Sequence, residues 1–479
     1  MVFKWNSCIN TKDTVKLKLM NLSSGNQRWW VMANVSVGTY MATLDTSVVN
    51  LSLPTIIQSL NTNLGAVAWV VMTYLVVITG CLLLMGRLAD LFGQRRIYLL
   101  GYLTFTIGSA FCSFSPTIYF LIGARMLQGL GASALMAIGP AIFTTTFRKE
   151  ERGQVLGILG SVVSAGFLTG PILGGFLVEH LGWRSIFYIN LPIGAIGIFL
   201  TLNVLTKDGP AKKVQVDLFG ALMLFLFVSF LLFSLNRAGQ GSTPLLWGSL
   251  LMTLFCFGLF FITELQSSSP LVDLSLFRER LFISGLGAGF LSFWMAGAHS
   301  FVAPFFFQNI LGFSPSRVGM LIFPVALTSM IFAPLGGRFS DRVGARIPAT
   351  VGLILTSFII FSFTWLKEGV SYYPIIWRQI VIGIGIALFN PANNSAIINS
   401  LSRDKVGLAS GLLSLSRNLG IAIGIAFAEM IIAFRLPQSP GVAGGSPSLE
   451  SIHDVWRLII IIGLMGVFLS WTRGSRSET

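Results

Sequence analysis

Charge is what this 479-residue sequence most lacks: only 10% of its residues are Asp, Glu, Lys or Arg, against roughly a quarter in ordinary soluble domains. Apolar residues make up 54% before glycine is counted. A chain so composed cannot cover a globular surface with polar groups, which argues against a soluble enzyme. Histidine is scarce, with three residues, and the four cysteines, Cys8, Cys81, Cys112 and Cys256, are scattered. Their spacing fits neither a metal centre nor a disulfide framework, so no metal is expected and they read as packing residues. A Gly-x4-Gly-Lys-Ser/Thr run is also missing, and with it the phosphate cradle of a nucleotide-driven machine. Nothing in the composition calls for a cofactor.

What is present is a recurrence of apolar stretches, each of ~20 residues, the length that crosses a bilayer as a helix. They run from residue 29 to residue 472 with short polar gaps and read as about fourteen spans. The net charge of +14 would suit nucleic acid, but the placement of the cations points to the membrane instead. With the amino terminus cytoplasmic, 23 of the 32 Lys and Arg residues fall in inner loops, 5 in outer loops and 4 within spans. Such asymmetry is the positive-inside signature. It predicts a multi-pass protein of the cell (inner or plasma) membrane with both termini cytoplasmic. The basic run before residue 29 has no apolar core or small-residue cleavage site, so the first span is expected to serve as its own insertion signal.

Self-comparison reveals a parallel repeat. The loop Gly86, Arg87, Asp90, Gly93, Arg95 returns as Gly337, Arg338, Asp341, Gly344, Arg346, at a constant offset of 251. Arg342 follows the second aspartate, and similar offsets relate Arg125 to Arg378, Gly166 to Gly420 and Gly170 to Gly424. The predicted fold is therefore an all-α integral membrane protein made of two parallel-related six-helix bundles plus two inserted helices. The boundaries are 1–28 for a cytoplasmic segment, 29–206 for the first bundle, 207–280 for a linker holding the inserted pair, 281–473 for the second bundle, and 474–479 for a cytoplasmic tail. A substrate site between such halves, near the bilayer midplane, follows from this architecture.

Polar residues inside spans carry the chemistry. Asp45 lies deep in the first span, where a carboxylate costs ~2.5–3.5 kcal/mol on insertion scales and so faces a cavity or a partner. It can load and release a proton, or form a static pair with Arg125. Arg125 in turn can act in a relay with an acid or snorkel to the interface. Arg125, Gln128, Gly129 and Gly131 stand together in the fourth span. In the fifth, Gly166, Gly170 and Gly174 recur at four-residue spacing beside Pro171 and Gly175, a flat face for packing that can also bend. In the second half His299, Arg378, Asn390, Asn393, Asn394, Arg417 and Glu429 stand out. The amides would line a cavity, since an unpaired amide is costly in lipid. Glu429 is a second candidate proton carrier or a group reaching the headgroups.

These residues resemble the fourteen-span drug:proton antiporter subfamily of the major facilitator superfamily over nearly the whole chain. Gly86 to Arg96 is similar to the superfamily's loop motif, Arg125 to Gly131 to its fourth-span motif and Gly166 to Gly175 to its antiporter motif. Leu44 to Pro54 and Trp183 to Pro192 resemble signatures of the narrower subfamily. The departures are Leu91 and Gln94, where the loop pattern has Arg, and Ser47 and Ser185, where the narrower subfamily usually has Thr and Trp. The resemblance implies export of amphipathic or lipophilic, often cationic, compounds in exchange for protons by alternating access. Proton coupling would fall to Asp45, Arg125 and Glu429; Asn50, Gln128, His299, Asn390, Asn393 and Asn394 would line the substrate cavity. The implied partners are small-molecule substrates, protons, the lipid bilayer and envelope-spanning accessory proteins, with no nucleic acid. Export of one dedicated metabolite, lipid or siderophore by the same fold is the alternative, and a non-transporting membrane sensor a weaker one.

The charge asymmetry makes a direct prediction. Cysteines introduced at Gln94 and Ser477 are expected to resist an impermeant thiol reagent added to intact cells, and one at Ser371 to react; labelling at residue 94 from outside would reverse the orientation.

Overall fold

A chain segment in hydrocarbon has to satisfy its backbone polar groups within itself, and a helix does so without partners. The computed structural model describes residues 27–147, 151–206, 208, 217–239, 243–266, 274–401, 406–435 and 447–473, and every regular element among them is helical. The first bundle comprises α1 (Gln27–Ser59), α2 (Leu64–Phe92), α3 (Gln94–Ser113), α4 (Ile118–Thr146), α5 (Arg152–Leu181) and α6 (Ser185–Val204). Two further helices follow, α7 (Leu218–Ala238) and α8 (Pro244–Gln266). The second bundle comprises α9 (Arg280–Ile310), α10 (Pro315–Val343), α11 (Arg346–Trp365), α12 (Tyr372–Asn399), α13 (Val406–Arg435) and α14 (Leu449–Trp471). Twelve of these are long and apolar enough to cross a bilayer; α1 and α3 are the two more polar ones. The tail expected at 474–479 and nearly all of the segment expected at 1–28 lie outside the described residues.

Local chemistry sets the helix ends. Side chains of Asn63, Thr117, Asp217 and Ser448 accept from the backbone amides at the starts of α2, α4, α7 and α14. The breaks between α2 and α3 and between α10 and α11 fall at Gly93 (φ 101°) and Gly344 (φ 82°), a backbone that L side chains rarely adopt. The repeated loop thus needs glycine at the same place in both copies.

Packing repeats as the sequence does. In the first bundle α1 packs on α5 and α6, and α4 on α2 and α3, with α3 against α6. In the second, α9 packs on α13 and α14, and α12 on α10 and α11, with α11 against α14, so each contact recurs eight helices later. The halves meet through α5 on α10, through α2 on α13, and through a smaller contact of α1 with α9. The inserted pair lies outside both bundles. Its helix α7 packs across the α2–α13 contact and against α8, where Ser234 Oγ meets Ser249 Oγ at 2.9 Å.

The contacts between halves are unequal along the molecule. At the end bearing Leu181 and Pro315, called here the far end, Glu179 accepts from the Ser316 amide at 2.9 Å. Gln308 donates to the Leu51 carbonyl at 2.8 Å. Glycines remove the side chains where the backbones cross: Gly175 faces the Pro315 carbonyl, and Gly319 faces that of Pro171. The same antiparallel register would bring Gly160 beside Met330 at the other end, which carries the Gly93 and Gly344 loops. There a side chain added at Gly160 would meet nothing within 4 Å, and Met330 is 43% exposed. The α5–α10 contact is closed at the far end and open at the loop end.

This seam predicts opposite outcomes for two glycines of α5. A side chain at Gly170 would run into Ser47 of α1, so Gly170→Leu is expected to destabilise by about 1–3 kcal/mol, the usual cost of overpacking. Gly160→Ala is expected to leave the melting temperature unchanged or raise it; thermal unfolding of the purified proteins, read by intrinsic fluorescence, checks both.

Candidate functional site

The site begins with one carboxylate. Asp45, on α1, is 2% exposed, and Arg125, on α4, is fully buried beside it. Arg125 Nη1 meets Asp45 Oδ2 at 2.5 Å and also donates to Gln128 Oε1. Gln128 sits one turn farther along the same face of α4, so its amide Nε2 donates to Asp45 Oδ1 at 2.8 Å and to Ser109 Oγ on α3 at 2.8 Å. From α6, Asn190 Nδ2 donates to Asp45 Oδ1 at 3.1 Å. The carboxylate thus has three donors, of which one is a cation.

Arg125 is held independently of that carboxylate. Its Nε donates to the Val70 carbonyl on α2 at 3.0 Å, and its guanidinium carbon lies 4.0 Å from the centroid of the Tyr74 ring. The Tyr74 hydroxyl is tied in turn to the Ala42 carbonyl on α1 at 3.2 Å. Arg125 Nη2 and Asn190 Oδ1 have no hydrogen-bond partner among the described residues. A buried pair of this kind is weak evidence for stability, because desolvation offsets much of its attraction. It is, however, a place where gaining one proton changes the local charge without a large movement.

Helix α1 links this cluster to both halves. Its other faces carry the glycine seam: a side chain at Gly166 would meet Thr43, one at Gly170 would meet Ser47, and one at Gly174 would meet Val48. Pro171 and Gly175, on the next face of α5, are the residues at the α10 contact. Toward the far end of α1, Asn50 Nδ2 donates to Ser300 Oγ of α9 at 3.3 Å, and Leu51 accepts from Gln308. Asn50 therefore lies between the halves.

The second-half residues do not gather at one point. Glu429 is 1% exposed and accepts from Asn236 Nδ2 of α7 at 3.0 Å, beside Gly65 at the far-end start of α2. It is remote from Asp45 in the helix order and touches the inserted pair. His299 lies within an aromatic cluster, with ring centroids 5.2 Å from Phe363 and 6.3 Å from Trp456. Asn393 is buried, donating to the Gly285 carbonyl at 3.1 Å and accepting from Arg473 at 2.7 Å. Asn390 is half-buried and Asn394 exposed. On α12, Gly383 and Ala387 face α10, whereas Asn393 and Ile397 face α9; Asn390 lies on the strip between, toward the gap separating α9 from α10, and Asn394 lies on the α10 side of that strip, where it is exposed. Arg378, the counterpart of Arg125, has no acid and is bonded to Ser362 and the Pro374 carbonyl.

At the loop end Asp208 accepts from the amides of Arg95 (2.8 Å) and Arg96 (3.1 Å), closing the amino end of α3 over Gly93. Arg95 also donates to the Leu202 carbonyl. Asp90, Asp341 and Arg342 are exposed, and side chains added at Gly86 or Gly337 would meet open space. Three groups escaped assignment from sequence: Asn190 and Ser109 in the Asp45 cluster, and Asn236 beside Glu429. Only Asn190 had a signal, its place inside the Trp183 to Pro192 run.

A family profile described as Major Facilitator Superfamily matches residues 35–425 and, in a second placement, 285–472. The chain is 35% identical over 408 residues to riboflavin transporter RibZ of Clostridioides difficile (strain 630), spanning 85% of this chain and 89% of that one. It is 32% identical over 430 residues to multidrug resistance protein Stp of Mycobacterium tuberculosis (strain CDC 1551 / Oshkosh), spanning 88% and 80%. Among solved structures, a POT family transporter in complex with 5-aminolevulinic acid aligns with a TM-score of 0.70 over 93% of this chain and 96% of that one, at 16% identity, a likeness of fold alone. Two equivalent six-helix bundles, the glycine seams that join them and these matches over most of the chain lead to one assignment: the chain belongs to the major facilitator superfamily of membrane transporters.

Proposed function

We propose that the protein is a proton-coupled exporter of amphipathic organic compounds, working by alternating access with its loop end in the cytoplasm. The observation that carries the reading is the Asp45 carboxylate, shielded from solvent and held by donors from two other helices. Protonation of Asp45 would weaken its bond to Arg125, while Arg125 keeps Val70, Gln128 and the Tyr74 face. Arg125 therefore keeps neutral hydrogen-bond partners but loses its counter-anion when the proton arrives, so the protonated state is the less stable one in this arrangement and favours a rearrangement. The change is felt by α1, the helix that bonds α9 through Asn50 and Leu51 at the closed far end. Proton uptake and the far-end seal share one rigid element, which is what coupling requires. The 23-to-5 distribution of cations supports the orientation. A proton entering along the membrane potential contributes ~2.3 kcal/mol per 100 mV, so no nucleotide is needed.

The drug-resistance name of the relative Stp supports a broad substrate range. A second reading, export of one dedicated metabolite, is favoured by the riboflavin transporter RibZ. In both, Asn50, Asn390 and Asn394 are the amides offered to a substrate, and the Glu429–Asn236 pair is a second proton site at the far end.

The test is proton flux on substrate addition in proteoliposomes, normalised to inserted protein. Asp45→Asn is expected to abolish gradient-driven transport, and Asp45→Glu to retain a part with a shifted pH profile. Asp45→Asn leaves Arg125 buried without its anion, a loss of about 3–5 kcal/mol, so less folded protein is expected. The double change Asp45→Asn with Arg125→Gln is expected to recover the folded amount without recovering coupling. Undiminished flux in Asp45→Asn would remove Asp45 from the mechanism.

A further inference from the structure

Of the intramembrane cations that the functional reading leaves unused, Arg378 is hydrogen-bonded and Arg417, among the described residues, is not. Arg417 lies near the middle of α13, is half-buried, and makes no hydrogen bond or ion pair among the described residues. Its direction follows from its neighbours on the same helix. Ser416, Gly420 and Gly424 face α9; Gly411 faces Leu83 of α2; Gly239 of the α7 end meets Met430 and Ala433. At about 100° per residue, Arg417 falls opposite α7, on the margin of the α9 face, about 20° from the Gly424 line and about 40° from Ile421, which meets Gly297 of α9. Since α7 flanks the bundles from outside, that side faces the interior between the halves.

Its depth is fixed by two registers. Along α2, Gly65 stands beside Glu429 and Leu83 beside Gly411, which brings Arg417 level with Val77, the residue that meets Gly129 of α4. Along α9, Phe290 touches Gly420 while Gly289 touches Asn393 of α12. Arg417 is therefore within about one helical turn of the level of Asn390, on the strip between α9 and α10, and of the exposed Asn394.

No carboxylate among the described residues answers this charge. Asp45 is engaged by Arg125, Gln128 and Asn190. Glu429 is twelve residues along α13, about 18 Å away along the helix axis, and bonded to Asn236. Glu264 is on α8, outside both bundles, and the other described acids sit at helix ends or in loops. A guanidinium is permanently charged and presents a planar fork suited to carboxylate, phosphate or sulfonate. A lipophilic cation would meet a like charge here.

We propose that Arg417, with the amides of Asn390 and Asn394, takes an anionic group of the transported molecule, so that the substrates are organic anions or zwitterions rather than simple lipophilic cations. This inference rests on the transport reading above and names its substrate class. Neither Asn390 nor Asn394 is acidic, and the α5–α10 contact is open at the loop end, from which a soluble organic anion would enter.

Two xanthene dyes of opposite charge, carboxyfluorescein and rhodamine 123, test it by fluorescence polarisation with purified full-length protein. No gradient is needed, so a failure of proton coupling leaves this assay readable. Wild-type protein is expected to bind carboxyfluorescein more tightly than rhodamine 123. Arg417→Gln is expected to weaken carboxyfluorescein at least about tenfold, the worth of one charge-assisted hydrogen bond, without weakening rhodamine 123, and Arg417→Lys to recover part of the loss. If Arg417→Gln does not fold, Asn394→Asp at its exposed position is expected to lower carboxyfluorescein affinity and raise that for rhodamine 123. Equal carboxyfluorescein affinity in wild type and Arg417→Gln, an unchanged dye preference in Asn394→Asp, or a wild-type preference for rhodamine 123 would overturn the proposal.

Discussion

The first bundle is organised around the need to keep one carboxylate satisfied where water is excluded. Asp45 cannot stand bare in a low-dielectric interior, and its donors come from α4 and α6, which bind the remaining helices in turn. Arg125 reaches α2 through Val70 and Tyr74, and Gln128 reaches α3 through Ser109. Helix α5 has no polar stake in the cluster. It closes on α1 through Gly166 and Gly170, because only glycine lets its backbone pass Thr43 and Ser47. Five helices share the hydrogen bonds of the cluster, and the sixth joins α1 by shape and by separate bonds, Tyr40 to Thr169 at 2.8 Å and Ser47 to the Phe167 carbonyl at 3.4 Å.

The second bundle repeats the shape without the charge. Gly420 and Gly424 bring α13 onto α9 as Gly166 and Gly170 bring α5 onto α1, but the α9 residues at the crossing are Phe293, Trp294 and Ala298, with no acid. Arg378, the repeat of Arg125, settles on a serine and backbone carbonyls near the far end. The ancestral symmetry therefore survives in packing, where small residues are required for close approach, and has been lost in electrostatics. That asymmetry gives the two halves different chemical characters: a neutralised pair in one and, in the other, Arg417 with no ion-pair partner among the described residues.

The inserted helices occupy a position that bears on both halves. Helix α7 lies over the α2–α13 contact, with Phe225 against Gly80 and the Gly239 end against α13. Its Asn236 supplies the hydrogen bond that Glu429 would otherwise lack in an apolar setting. The pair α7–α8 is thus continuous with the seam between the bundles rather than a detached appendage.

Sequence by itself determined that the chain spans a membrane, that it has two related halves with an added pair, and that Asp45, Arg125 and Gln128 carry unusual polarity. Composition, span length and a constant repeat offset are properties of the linear chain, so they can be read without coordinates. What only the tertiary structure decided is which polar groups meet. His299 and Asn393 look as available in sequence as Asn390 and Asn394, yet one step of about 100° around a helix separates an aromatic core or a backbone carbonyl from an exposed position. The same is true of Glu429, whose partner Asn236 lies 193 residues away on a helix that the repeat does not include. Burial and pairing depend on the sides helices turn to one another, and that orientation is set by close packing across the whole bundle rather than by any single segment.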